Sequence, residues 1–189
     1  MRVERLAEEF EIDFDPCAFD LKPGIPPEGL PREQAYAGRV YPEGYVDSMR
    51  QMAADGGIDM KRPPLIPNTR KAHEATEFAR EQGSADMLLA FHRAVFYAYW
   101  TDERNIGDVD VLCEVAAVCG LDPEALREAL ADGRYAAEVE DQMQWARAAG
   151  ITGVPTVVYD GRFAVVGAQD YDVFLDVARR VISRPVSEG

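Results

Sequence analysis

Cysteine and histidine are both scarce in this 189-residue chain, with three of the first and two of the second. No two cysteines form a Cys-x-x-Cys pair. The odd set Cys17, Cys113 and Cys119 offers no disulfide framework, which points to a reducing, cytoplasmic setting. No run approaches the ~18 apolar residues that a membrane-spanning helix needs. The opening MRVERLAEEFEID has no apolar core of the kind a signal peptide carries. Basic charge is also short: 20 Lys and Arg stand against 34 Asp and Glu, a net −14. Such a surface repels phosphate backbones and anionic lipid, so nucleic acid and membranes are excluded as expected partners, and small molecules and proteins remain. No Gly-rich phosphate loop, nucleophile elbow or zinc spacing occurs. In HEATE, His73 is followed four residues on by Glu77, where a zinc-protease pattern needs a second histidine. Neither a metal site nor a catalytic residue can be assigned.

What is present is mostly helical periodicity. Val3, Leu6, Ala7 and Phe10 share one stripe that is under way without a capping residue before it, and this reads as the back half of a longer helix. EIDFDPCAFDL alternates and predicts a strand, with Pro16 marking an edge or a bulge. KPGIPPEGLP and KRPPLIPNTR are Pro-rich connectors. Between them Tyr45, Val46, Met49, Met52 and Ala53 predict an amphipathic helix stopped at Gly56-Gly57. Residues 70–149 are helical in pattern, with stripes at Leu88, Phe91, Val95 and Tyr99, at Leu112, Val115 and Cys119, and at Tyr135, Val139, Met143 and Ala146. Asp122 and Pro123 are a helix cap and a first-turn proline. The period then changes to two, and Asp160-Gly161 joins two short apolar runs as a hairpin. A last helix carries Phe174, Val177, Ala178, Val181 and Ile182, with acids at its start and Arg179-Arg180 towards its end.

The order suggests one small sheet domain made from both ends of the chain, with a helical block between. The cysteines read as packed or filler thiols. Cys113 and Cys119, six residues apart on one helix, are about 9 Å apart in rise and cannot bridge. Val154-Pro155, inside GITGVPTVVYDG, has a plain structural reading as the first residue of a strand.

GITGVPTVVYDGRFAVVGAQDYDVFL, with FDLKPGIPPEG, PNTRKAHEATEFAREQG and NIGDVDVL, resembles the DsbA-like thioredoxin-fold proteins, in the group that includes 2-hydroxychromene-2-carboxylate isomerases and kappa-class glutathione transferases. The resemblance spans most of residues 10–183. It implies an α/β thioredoxin-like fold with a helical insertion domain, residues 1–22 and 134–189 forming the thioredoxin-like part and 23–133 the insertion. It implies a cis Val154–Pro155 bond that turns the Val154 backbone outward to pair with an extended peptide or a glutathione-like thiol substrate. Thr152 and Gly153 would shape that approach, Gln169 and Asp170 would begin the last helix beside it, and Asn68 would line the cleft. Family members open with a strand and a Cys-x-x-Cys turn, or a serine in the isomerases. That strand and turn would lie just upstream of Met1, so the expectation is an N-terminal truncation with the first strand missing. The function expected is that of a DsbA-family thiol–disulfide oxidoreductase without its dithiol. The alternatives are a glutathione-dependent isomerase or transferase and a non-catalytic peptide-binding module. Glutathione as a cosubstrate and a homodimer both remain open, and no other cofactor is expected.

Overall fold

Side-chain caps start the central helices where the sequence places them. In the computed structural model, which describes residues 2–183 (side chains from residue 5), Ser84 accepts from the Met87 N–H, Asp108 from Asp110, and Asp122 from both Glu124 and Ala125. These caps open α5 (Ala85–Trp100), α6 (Val109–Val118) and α7 (Pro123–Asp132). With α4 (Arg70–Gln82) they close over Phe78, Phe91, Leu112, Leu126 and Leu130, none of which keeps more than 2% of its surface. Burial of large side chains such as these contributes ~1.5–3 kcal/mol each. The stripe Leu88, Phe91, Val95 and Tyr99 is buried throughout, as is Tyr135, Val139, Met143 and Ala146. The latter stripe lies at and along α8 (Ala136–Ala148), which packs against α4.

A second cluster lies at the chain ends. α1 (Arg2–Glu9) and α9 (Tyr171–Ser183) cover one face of the antiparallel hairpin β3 (Thr156–Tyr159) and β4 (Phe163–Val166). Leu6, Val165, Phe174 and Ala178 are its buried residues, flanked by Phe10 and Val157. Asp160 (φ 51°) and Gly161 (φ 64°) turn the hairpin at the predicted place. Ala7 and Ile182, expected on apolar faces, are exposed, and Val3's side chain and residues 184–189 lie outside the described set.

Between the clusters, two short strands, β1 (Leu30–Pro31) and β2 (Leu65–Ile66), pair antiparallel and close a loop that carries α2 (Arg32–Ala35) and α3 (Tyr45–Asp55). Gly29, at φ +83°, approaches so near that a Cβ would sit 2.9 Å from the Ile66 oxygen. α3 packs against no other helix or strand among the described residues.

The strand expected in EIDFDPCAFDL does not form, and residues 11–20 are irregular. Pro16 has no N–H to donate and no neighbouring strand is present to pair with. Side chains of α4 and α8 hold the segment instead. Gln142 accepts from the Ala18 N–H (2.8 Å), Arg80 donates to the Pro16 oxygen (2.6 Å), and Arg80 pairs with Asp15. Glu77, 5% exposed, takes two bonds from Arg80 (2.9 and 3.4 Å) and one from Gln142 (2.9 Å). Ala18 packs on Val139 and Met143.

His73, one turn into α4, is bonded to the Phe19 backbone; some of the residue reaches the surface, but its Nε2 is buried with no partner. Burial drives its pKa down to about 4, with Asp20 opposing and His92 and Arg70 adding to the fall. The unfolded chain takes up this proton below pH 6.5, while the folded chain does not until about pH 4. Stability therefore falls as pH drops between these values, by up to roughly 3 kcal/mol from this group. Denaturant unfolding of wild type and His73→Gln at pH 7 and pH 4.5 should show a smaller acid loss in the variant, and equal losses would refute this. Gln142→Ala should cost about 1–3 kcal/mol, because it leaves the buried Glu77 Oε1 only a longer bond from Arg80 (3.4 Å) and frees the Ala18 amide. Hydrogen exchange at Ala18 should accelerate with it.

Candidate functional site

α8 ends where Gly150, at φ +74°, reverses the chain, with the Ile151 N–H returning to the Ala146 oxygen (2.9 Å). Thr152, Gly153 and Val154 then cross to the start of β3. The Val154–Pro155 peptide is cis. Two bonds fix this turn: Thr156 Oγ1 donates to the Gly153 oxygen (2.7 Å), and the Gly167 N–H donates to the Pro155 oxygen (2.8 Å). The second continues the β3–β4 ladder one step past the Thr156–Val166 pair.

The open groups here are backbone groups. Val154 is 50% exposed, and neither its N–H nor its C=O has a partner among the described residues. β3 pairs with β4 along one edge and with no described strand along the other. Across the hairpin, Val157 and Val165 face the α9 side, while Val158, Ala164 and Val166 point the other way. Val166 is 58% exposed. An unpaired edge with an apolar face is a template for an added strand.

Gln169 and Asp170 sit beside this turn through the Gly167–Pro155 bond. Gln169 Nε2 donates to the Val166 oxygen (3.1 Å), and Asp170 directly precedes α9, where the helix dipole favours negative charge. Asn68 is used elsewhere: its Nδ2 donates to the Ile25 oxygen (2.6 Å) and its Oδ1 accepts from the Arg70 N–H (2.9 Å). No described contact joins it to Thr152–Pro155. Thr156 and Gly167, which hold the turn, were not singled out from the sequence. Their signal was positional: a hydroxyl directly after Val-Pro, and the first residue of Gly-Ala-Gln.

No cysteine has the setting of an attacking thiolate. Burial, with Asp15 adding to it, raises the Cys17 pKa, and burial raises those of Cys113 and Cys119. Cys113 is the more deeply buried of the helical pair, although the stripe pointed to Cys119. His92, its pKa lowered by burial and by Arg80, lies edge-on to Phe14 and next to Phe96. No group of three or more potential metal ligands occurs among the described residues, and none of their helices is long and apolar enough to cross a membrane. A thiol-labelling time course at pH 7 should find Cys17 reacting no faster than free cysteine, and Cys113 only as the protein unfolds. Rapid labelling of any of the three would mean an activating environment that the geometry does not contain.

Comparison with known proteins matches this architecture. The uncharacterized protein YwbO of Bacillus subtilis is 28% identical over 170 residues, covering 88% of this chain and 80% of that protein. A crystal structure described as a "probable DsbA oxidoreductase" from Streptomyces coelicolor superposes with a TM-score of 0.75 at 29% identity, over 90% of this chain and 76% of the other. A 2-hydroxychromene-2-carboxylate isomerase shares the fold, with a TM-score of 0.67 at 20% identity over 95% of this chain and 84% of that one. The profile of the DSBA-like thioredoxin domain matches residues 1–178. The helical block is thus the insertion in a thioredoxin-like fold, and the chain belongs to the DSBA-like thioredoxin domain family.

Proposed function

We propose that this chain is the substrate-docking part of a DsbA-family thiol–disulfide oxidoreductase. The observation that carries the reading is the open backbone at Val154, continuous with the unpaired edge of β3. An extended cysteine-bearing peptide adds there as a strand, its main chain bonding the Val154 N–H and C=O and its apolar side chains reaching Val158 and Val166. The likeness to the Streptomyces protein, at 29% identity, supports the same chemistry. Exchange requires a low-pKa attacking thiol and a resolving thiol. Cys17, Cys113 and Cys119 supply neither. Three free thiols suit the reducing cytoplasm.

Glutathione is the second reading, favoured by one feature. Gly167–Asp170 lies one hydrogen bond from Pro155, so a γ-glutamyl group seated along β3 would meet the first turn of α9.

An NMR titration of the chain with an unstructured cysteine-containing peptide should shift the amides of Thr152, Gly153, Val154 and Val158. Glutathione should shift Gln169 and Asp170 instead if the second reading holds, and silence from both ligands would remove the docking role. The chain alone should reduce insulin disulfides no faster than buffer thiol.

A further inference from the structure

Many cations of this acidic chain lie beside a carboxylate; those around Tyr36 do not. Arg70, Lys71, Arg80, Arg104, Arg127 and Arg147 each hold an Asp or Glu within 2.9 Å. Lys22, Arg32, Arg39, Lys61 and Arg62 hold none within 4.0 Å among the described residues. Three of them surround one ring: Lys22 Nζ lies 4.0 Å from the Tyr36 centroid, and the Arg32 and Arg39 guanidinium carbons lie at 5.6 and 5.8 Å. Arg32 also donates to the Pro63 oxygen (2.5 Å), which brings the Lys61–Arg62 segment to the same end of the molecule. Of the acids nearest in sequence, Glu33 and Asp59 bond none of the five, and Asp20 accepts from the Lys22 backbone N–H (2.9 Å), not from its ammonium.

Like charges gathered this way repel one another, and burial and Arg39 already lower the Lys22 pKa. Cation–π contact with one tyrosine offsets only part of the cost. The surface around them is apolar and exposed: Val40 keeps 94% of its surface, Leu21 54%, and Tyr41 and Tyr45 stack with centroids 5.1 Å apart.

The same chain carries the complement. Residues 8–13 read Glu-Glu-Phe-Glu-Ile-Asp. Glu8, Glu11 and Asp13 are exposed and unpaired, with Ile12 exposed between them. Nine residues separate Asp13 from Lys22, at most ~32 Å of chain, so segment and patch lie within one interface's reach. We propose that the Lys22–Arg32–Arg39 patch, with Val40 and Tyr41, is the docking surface for the Glu8–Asp13 segment of a second copy of this chain. A two-fold axis makes the contact twice, segment to patch and patch to segment, so each copy contributes both surfaces. Nucleic acid is disfavoured because the rest of the surface is acidic, and apolar Val40 and Leu21 suit protein side chains better than phosphates.

The test is light scattering and sedimentation of the 189-residue chain over a concentration series near physiological salt. Wild type should dimerise. Lys22→Glu with Arg39→Glu should weaken the dimer at least roughly tenfold. Adding Glu11→Lys and Asp13→Lys to that variant should restore it. Arg127→Glu with Arg134→Glu changes net charge equally on and just after α7, which packs only against α4 and α6 among the described elements, and should have little effect. Val40→Asp, at a side chain with almost no internal contact, provides a second disruption that does not threaten folding. A monomer at every concentration would overturn the proposal. So would a dimer indifferent to Lys22 and Arg39, which would point to the β3 edge, and so would failure of the reversed-charge rescue.

Discussion

A single buried carboxylate ties the two halves of the molecule together. Glu77 sits in the middle of α4 and takes two hydrogen bonds from Arg80 and one from Gln142. Those two side chains then reach the Pro16 oxygen and the Ala18 amide, and so hold a segment that has no secondary structure of its own. A buried charge is costly unless each of its lone pairs finds a donor. The requirement to satisfy Glu77 therefore fixes where α8 lies against α4, and where the chain runs between the terminal hairpin and the helical block. The irregular stretch is specified by polar geometry where pleated pairing is missing.

The helical block was legible because its information is local. The cap at Asp122, and stripes of period 3.6, need no knowledge of distant residues, and Leu88, Phe91, Val95 and Tyr99 are all buried as the pattern requires. The hairpin was equally readable from Asp160-Gly161. Alternation at residues 12–21 misled because a strand exists only in relation to a neighbour. Nothing local distinguishes an extended segment awaiting a partner strand from one pinned by Arg80 and Gln142. The site divides in the same way. Thr152 to Pro155 was marked by its own residues, and the resemblance supplied its meaning. Asn68 was visible too, but its two hydrogen bonds, to Ile25 and Arg70, depend on tertiary placement that spacing does not encode. The gathering of Lys22, Arg32, Arg39 and Lys61 was hidden for the same reason: two short strands and a proline-rich loop bring them together.

Charge is also unevenly distributed. A chain with 34 acids and 20 bases might be pictured as uniformly negative. Five of its cations without a carboxylate instead lie in the loop closed by β1 and β2 or just before it, and three of them surround Tyr36. On the two proposals, a thiol substrate would be met through backbone hydrogen bonds and a charged partner through side-chain electrostatics.

The hairpin and its two covering helices pack only among themselves, over four buried side chains, whereas the helical block closes over nineteen. Cooperative units of such unequal core size do not open together. The small unit bears the open strand edge, so it has the lower local free energy of opening, and the helical block stays closed while it fluctuates. On the proposed function, the residues that would receive a substrate strand are borne on the smaller of the two cores, and a captured strand would slow its opening by completing its hydrogen bonds.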